Sequence, residues 1–186
     1  MVGWTSIRDI KEKVHSLADE QITKLVDEYE ERLRAIEGLL SQKAQRIEEN
    51  REEIGRTQEI QSLWLRAAQE DNLSDRVQIY DQILKLRGDD VEAFTYKADT
   101  VLELDEPQWA ANLCHQALAI DPDNSHAFYQ LACAYTAMNK FEEAVNFLTQ
   151  VIERSDSYRE KVINDPGFAL LHDYPPYQKL IHRENV

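Results

Sequence analysis

The chain has 186 residues, of which 42% are hydrophobic and 30% charged, and its formal net charge at pH 7 is -14. Such an acidic chain is a poor ligand for nucleic acid, whose phosphates bind basic surfaces, and no apolar run reaches the roughly 18 to 20 residues that span a bilayer. With only 5 Gly and 5 Pro and no strand-like alternation, the chain is expected to be almost wholly helical.

Residues 1–56 are predicted to form one long amphipathic helix that pairs as a coiled coil. Apolar residues recur three and four apart, as in a heptad seam: Ile22, Val26, Tyr29, Leu33, Ile36, Leu40 and Ile47. Lys43 and Asn50 occupy seam positions where apolar residues would be expected. This seam needs a partner, and two arrangements supply one. Either a second copy of the chain pairs with it, giving a homo-oligomer such as a dimer, or a break near Gly38 folds the segment back onto the rest of the chain. We favour the second copy, because a lone Gly beside Leu39 and Leu40 is a poor turn.

The segment Gly55-Arg56-Thr57 is predicted to end this helix and begin the next, with Thr57 as the cap. After it, residues 91–124 and 125–158 are two segments of equal length with the same residues at the same offsets. The matches include Ala93 with Ala127, Phe94 with Phe128, Ala98 with Ala132, and Ala110 with Ala144. Residues 57–90 fit the same period as a degenerate copy, in which Trp64 and Arg76 replace the paired small residues. These two side chains are predicted to stack on each other; the alternative is that Trp64 points at the N-terminal extension.

A period of this length, with two helices per unit, resembles the tetratricopeptide repeat. The signature offsets hold Phe128, Leu131, Ala132, Tyr135, Ala144 and Leu148, and Pro122 closes the preceding copy. The resemblance implies an all-α, right-handed α-α superhelix of about three helix-turn-helix repeats. Residues 159–186 are similar to the tail that closes many bacterial arrays of this type, where an apolar end face must be covered. The covering residues would be Phe168, Leu171, Tyr177, Leu180 and Ile181.

The resemblance also implies a concave groove, lined by the first helix of each repeat, for a peptide or helix of another protein. The groove-facing offsets hold Gln61, Leu65, Glu92, Thr95, Asp99, Leu102, Glu103, His126, Tyr129, Cys133 and Thr136. These residues are acidic or neutral, so a basic or amphipathic segment is the expected ligand. In this interpretation Tyr129 and His126 are contact residues, and Glu92, Asp99 and Glu103 attract the positive charge of the ligand.

No catalytic motif is present. The chain has no phosphate-binding glycine loop, no His-Glu-x-x-His, no Gly-x-Ser-x-Gly and no cysteine pair at zinc spacing, so neither an enzyme nor a metal or other cofactor is expected. Cys114 and Cys133 are expected to be reduced thiols of a cytoplasmic protein, since the first residues do not form a signal peptide. The sequence favours a protein–protein interaction adaptor or scaffold. Two alternatives are a structural coiled-coil assembly protein and a regulatory subunit of a separate enzyme.

Overall fold

A computed structural model describes the backbone of residues 3–182 and the side chains from residue 7 onward. This described part is helical throughout, without strands, which confirms the all-α prediction. Its elements are α1 (Gly3–Gln69), α2 (Leu73–Leu86), α3 (Val91–Glu103), α4 (Pro107–Ile120), α5 (Ser125–Ala137), α6 (Phe141–Arg154), α7 (Ser157–Asn164), a 3-10 helix (Pro166–Leu171) and α8 (Pro175–Ile181). The chain divides at Gly55 into two units, Met1–Gly55 and Arg56–Val186.

The long N-terminal helix is confirmed, but the helix end predicted at Gly55-Arg56-Thr57 is wrong, and the alternative break near Gly38 is absent. Helix α1 runs through both Gly38 and Gly55 and ends only at Gln69. A glycine costs only about 1 kcal/mol in a helix interior, and the Glu, Leu, Arg and Lys residues around these two positions propagate the helix past them. The break after Gln69 is instead fixed by Asn72, whose side-chain oxygen accepts hydrogen bonds from the backbone N–H groups of Ser74 (2.9 Å) and Asp75 (3.2 Å) and so begins α2.

Substituting these two glycines by alanine should therefore stabilise the protein. A Cβ atom at Gly38 or Gly55 would meet nothing within 4 Å, and alanine loses less backbone entropy on forming a helix. We expect Gly38→Ala and Gly55→Ala each to raise the free energy of unfolding by about 0.5–1 kcal/mol, measured by urea denaturation followed by circular dichroism. A loss of stability in Gly55→Ala would instead restore the predicted helix end at that residue.

The second unit stacks helices in chain order, and small residues set its spacing. Ala98 on α3 and Ala110 on α4 are fully buried, as are Ala132 on α5 and Ala144 on α6. Each pair lies in a helical hairpin of α3 with α4 or α5 with α6. Because alanine fills little space, the two helices of each hairpin approach closely. Leu113, Leu131 and their neighbours join α4 to α5 in one apolar cluster, so the successive hairpins share a continuous core.

The two hairpins also repeat each other in backbone detail. Asp105 (φ 62°) and Asn139 (φ 60°) occupy the same offset in the two turns and share the left-handed conformation that Asp and Asn tolerate better than most residues. The next backbone N–H groups, of Glu106 and Lys140, close the helix ends on Val101 O (3.1 Å) and Tyr135 O (2.9 Å). This agreement supports a true tandem repeat.

The first helix of the first repeat is the C-terminal part of α1. Its apolar residues pack against α2 and the start of α3; this cluster contains Ile60, Leu63, Ala67, Ile79, Tyr80, Ile83 and Ala93. At the other end of the unit, Phe168, Leu171 and Tyr177 are fully buried against residues of α5 and α6, and Leu180 and Ile181 pack around them. The predicted bounds of the individual repeats and of the C-terminal segment, residues 159–186, remain predictions.

Candidate protein-binding surface

The first helices of the repeats, namely residues 57–69 of α1, α3 and α5, carry the predicted groove residues. In the first two repeats most of these side chains are accessible, namely Gln61, Leu65, Glu92, Asp99 and Glu103, with Leu102 partly so. The exposed fraction of Leu65 is 66%, which is high for a large aliphatic residue. We call these six residues the acidic face.

Two predicted threonines do not belong to this surface. Thr95 is 1% and Thr136 0% exposed, and their hydroxyl groups donate to backbone oxygens of their own helices, Glu92 O (3.0 Å) and Ala132 O (2.7 Å). A hydroxyl bonded one turn back along its own helix is not free to bind a ligand. These side chains therefore serve the helices rather than a partner.

In the third repeat two of the predicted groove residues, Tyr129 and Cys133, contact the chain's own C-terminal segment. Tyr129 is 2% exposed, its hydroxyl donates to the Asp165 carboxylate, and its ring meets Phe168 edge-on with centroids 5.5 Å apart. Lys161 Nζ lies 4.2 Å from the centroid of the same ring. A Cβ atom on Gly167 would be 3.9 Å from Cys133 Sγ. Tyr129 is thus removed from the accessible surface and Cys133 is partly covered, which the repeat register alone did not indicate.

His126 lies at the edge of the accessible region and contacts α3. Its Nε2 is 3.2 Å from Gln130 Nε2, which in turn donates to Asp99 Oδ1 at 2.9 Å. Its ring lies edge-on to Tyr96 with centroids 5.5 Å apart. Burial and the positive charge of Lys161 lower the pKa of His126, and the nearby carboxylates Asp99 and Glu92 oppose this only in part. The ring is therefore neutral at pH 7 and adds no positive charge to the acidic face.

The two thiols are unsuited to nucleophilic chemistry. Burial, reinforced by the negative charge of Asp99, raises the pKa of Cys114 to about 12. Burial together with Asp165 raises the pKa of Cys133 further. Since the thiolate is the nucleophilic form, both residues are protonated and inert at neutral pH.

Tyr96 is the exposed aromatic residue that the sequence analysis missed. It is 45% exposed and lies between His126 and Trp64, whose ring centroid is 5.5 Å away. Its offset matches Gln130 in the next repeat, a position that the repeat pattern does not assign to the groove. The available signal was an aromatic residue between polar neighbours on α3, but such a residue is as often buried as exposed.

The predicted stacking of Arg76 on Trp64 is wrong. Arg76 donates from Nε (3.0 Å) and Nη2 (2.8 Å) to the backbone oxygen of Glu70, and its Nη1 lies 3.6 Å from Glu103 Oε1. Carbonyl groups at a helix end lack intrahelical partners and attract cations, so the end of α1 holds the guanidinium. Trp64 packs instead against Tyr80 and Tyr96.

Residues 101–159 match the family model described as tetratricopeptide repeat. Together with the stacked hairpins of the second unit, this match identifies residues 101–159 as tetratricopeptide repeats, a class of helical repeat that serves protein–protein interaction.

Two solved structures of MamA are similar to part of this chain. A crystal structure of MamA protein is 16% identical with a TM-score of 0.43, covering 48% of this chain and 49% of that chain. A structure described as the MamA RS-1 ArsTM double mutant is 19% identical with a TM-score of 0.46, covering 61% of this chain and 68% of that chain. The chain thus spans about half the length of the first of these. A search of curated proteins gave no match. Among residues 3–182, every helix is too short or too polar to traverse a lipid bilayer.

Proposed function

We propose that the protein is a cytoplasmic, non-enzymatic adaptor that holds a basic or amphipathic segment of another protein against the acidic face and self-associates through α1. The observation that carries the proposal is the composition of this face. Glu92, Asp99 and Glu103 are exposed on one helix, α3, beside the exposed side chains of Leu65 and Tyr96. Carboxylates next to apolar surface suit a helix or peptide with one cationic and one apolar side.

The balance of charge on this face favours a cationic ligand. Of the three carboxylates on α3, Glu103 has a cation, Arg76, at 3.6 Å, and Asp99 accepts a neutral amide hydrogen bond from Gln130. Neither contact cancels the negative charge of the group as a whole. Because exposed charges steer encounter and select the partner more than they add affinity, the face should reject acidic segments.

Reversing two of these charges tests the assignment. We expect Asp99→Lys with Glu103→Lys to raise the dissociation constant for the partner about tenfold or more, since attraction becomes repulsion. Partners that co-purify with the tagged full-length chain would be identified first, and the binding of one purified partner then measured by calorimetry.

A matched control makes the same change of net charge at a site outside the acidic face. Glu142 and Glu143 are exposed at the start of α6, a second helix of a repeat, so Glu142→Lys with Glu143→Lys should bind the partner like the parent chain. Thermal unfolding of both variants checks that the fold is kept. Equal affinities in the two double variants would contradict the assignment of the acidic face.

A structural assembly role is the second candidate, and the apolar seam of α1 favours it. Seam residues such as Leu33 and Ile36 are 57% and 52% exposed. If assembly is the function, disrupting the seam should abolish higher-order complexes in cells while reversal of Asp99 and Glu103 leaves them intact. The adaptor role predicts that the charge reversal alone releases the partner.

A further inference from the structure

A continuous stripe of large apolar side chains lies uncovered on α1 between residues 22 and 40. Each of its members is 48% to 62% exposed: Ile22, Leu25, Val26, Tyr29, Leu33, Ile36, Leu39 and Leu40. Burying such side chains gains roughly 25 cal/mol per Å² of apolar surface, and most helical stability comes from packing an apolar face. The stripe therefore requires an occupant with an equally long apolar face.

One charged seam residue stands just beyond each end of this stripe. Asp19 precedes it and Lys43 follows it, both in the rows that carry the apolar seam. Neither takes part in an ion pair within the described chain. Some outer charges of the same helix are paired locally: Arg32 with Glu28 at 2.5 Å and Arg34 with Glu30 at 3.1 Å. Asp19 and Lys43, both exposed, are thus available to pair with charges of another molecule.

A second copy of α1 can place unlike charges opposite Asp19 and Lys43 only if the two helices run antiparallel. In a parallel, in-register pair, each seam residue meets its own counterpart, so Asp19 faces Asp19 and Lys43 faces Lys43. Like charges opposed in a partly buried seam are strongly unfavourable. In an antiparallel pair, the seam residues of one copy meet later or earlier residues of the other, and unlike charges can be opposed.

Resting on the self-association in the proposed function, we propose that two copies of α1 pair antiparallel in the register that places Asp19 of each copy opposite Lys43 of the other. In this register Ile22 faces Leu40 of the second copy, Val26 faces Ile36, and Tyr29 faces Leu33. Every layer between the two ion pairs is apolar. The closed segment, residues 19–43, is about 36 Å long at 1.5 Å per residue.

The flanks of the seam agree with the same register. Leu25 lies beside Leu39 of the second copy, so the two apolar residues outside the seam rows cover each other. Farther out, Lys11 meets Glu53. At the centre Glu30 meets its own counterpart and Arg32 does likewise, but both are neutralised on their own helix by Arg34 and Glu28.

Other antiparallel registers lack this agreement. Sliding one helix by one heptad in one direction places Lys43 opposite Val26, and sliding it by one heptad in the other direction places Asp19 opposite Ile36. Each slide leaves a buried charged group against an apolar side chain, which is costly. The ion pair therefore selects the register as well as the direction.

A charge-swap cycle on the full-length chain tests direction and register together. Asp19→Lys and Lys43→Asp should each weaken dimerisation about tenfold, because each opposes like charges in the antiparallel pair. The double variant should return to within about threefold of the parent, because the swapped charges attract again. Sedimentation equilibrium measures the dissociation constants. In a parallel pair the parent, the single variants and the double variant all oppose like charges, so single variants that dimerise like the parent would overturn the proposal. A double variant that stays as weak as the single variants would overturn it too.

Cysteine cross-linking gives an independent readout. In a mixture of the single variants Val26→Cys and Ile36→Cys, disulfide-linked dimers should form between the two variants on mild oxidation, because these two positions are adjacent only between antiparallel copies. Leu33→Cys alone should not cross-link efficiently. Efficient cross-linking of Leu33→Cys, without cross-linking between the two mixed variants, would overturn the antiparallel pairing and leave self-association standing. A parent chain that is monomeric at all concentrations would overturn both the antiparallel pairing and the self-association. Binding of a partner to the acidic face would still be tested separately by the charge reversals at Asp99 and Glu103.

Discussion

Replacing Phe168 by alanine is expected to lower the free energy of unfolding of the repeat unit by about 3–5 kcal/mol. Phe168 is fully buried and lies edge-on to Tyr129, in the cluster that also contains Val162, Leu171 and Tyr177. Its removal leaves a cavity between α5 and the C-terminal segment that the remaining side chains cannot fill. Urea denaturation followed by circular dichroism and tyrosine fluorescence measures the loss.

The same 3-10 helix supplies the control for this prediction. Leu170 is 58% exposed, so Leu170→Ala should change the free energy of unfolding by no more than about 0.5 kcal/mol. Cys133 provides a local readout because Gly167 adjoins its sulfur. Thiol labelling of Cys133 should accelerate in Phe168→Ala and not in Leu170→Ala. Equal stabilities and labelling rates in the two variants would show that the C-terminal segment does not cover α5 in solution.

Placing two carboxylates in the seam of α1 should abolish the proposed self-association. Leu33 and Ile36 lie in the middle of the apolar stripe, and an ionised side chain there would have to be desolvated on pairing. We expect Leu33→Glu with Ile36→Glu to raise the dissociation constant for self-association by about 100-fold or more. Size-exclusion chromatography with light scattering over a range of concentrations measures the change.

A control variant adds the same negative charge on another side of the same helix. Ser41 and Gln42 are exposed and lie outside the heptad seam rows, so Ser41→Glu with Gln42→Glu should keep the mass of the parent. Loss of self-association in this control too would mean that net charge rather than the seam governs pairing. An unchanged mass in the Leu33 and Ile36 variant would mean that α1 does not pair through this face.

The repeat architecture could be derived from local regularities. Ala98 and Ala110 recur as Ala132 and Ala144, and all four are buried where two helices meet. The cap residues recur as well: Asp90 accepts from Ala93 N at 3.0 Å and Asn124 from Ala127 N at 2.9 Å. Spacing of small residues, capping residues and apolar periodicity act over a few residues, so one sequence displays them directly.

Which residues of the candidate site are accessible could be derived from the sequence only incompletely. The repeat register identified Glu92, Asp99 and Glu103, which are exposed, but it also included Tyr129. That residue is covered because Asp165 and Phe168, far along the chain, dock on α5. Lys97 is likewise buried by contacts with other helices: its Nζ lies 2.5 Å from Asp81 Oδ1 on α2 and 5.1 Å from the centroid of the Trp109 ring.

The glycines of α1 show that a local sequence signal can also be misleading. Gly55 is a residue typical of a helix end, but a single unfavourable residue is outweighed by the helix-forming residues on both sides.

By itself the sequence determined that the chain is helical, that two hairpins repeat, and that a heptad seam runs along the first helix, because these follow from residue spacing. Only the tertiary structure decided which repeat faces stay open and which the chain covers itself, because burial depends on contacts between residues distant in sequence.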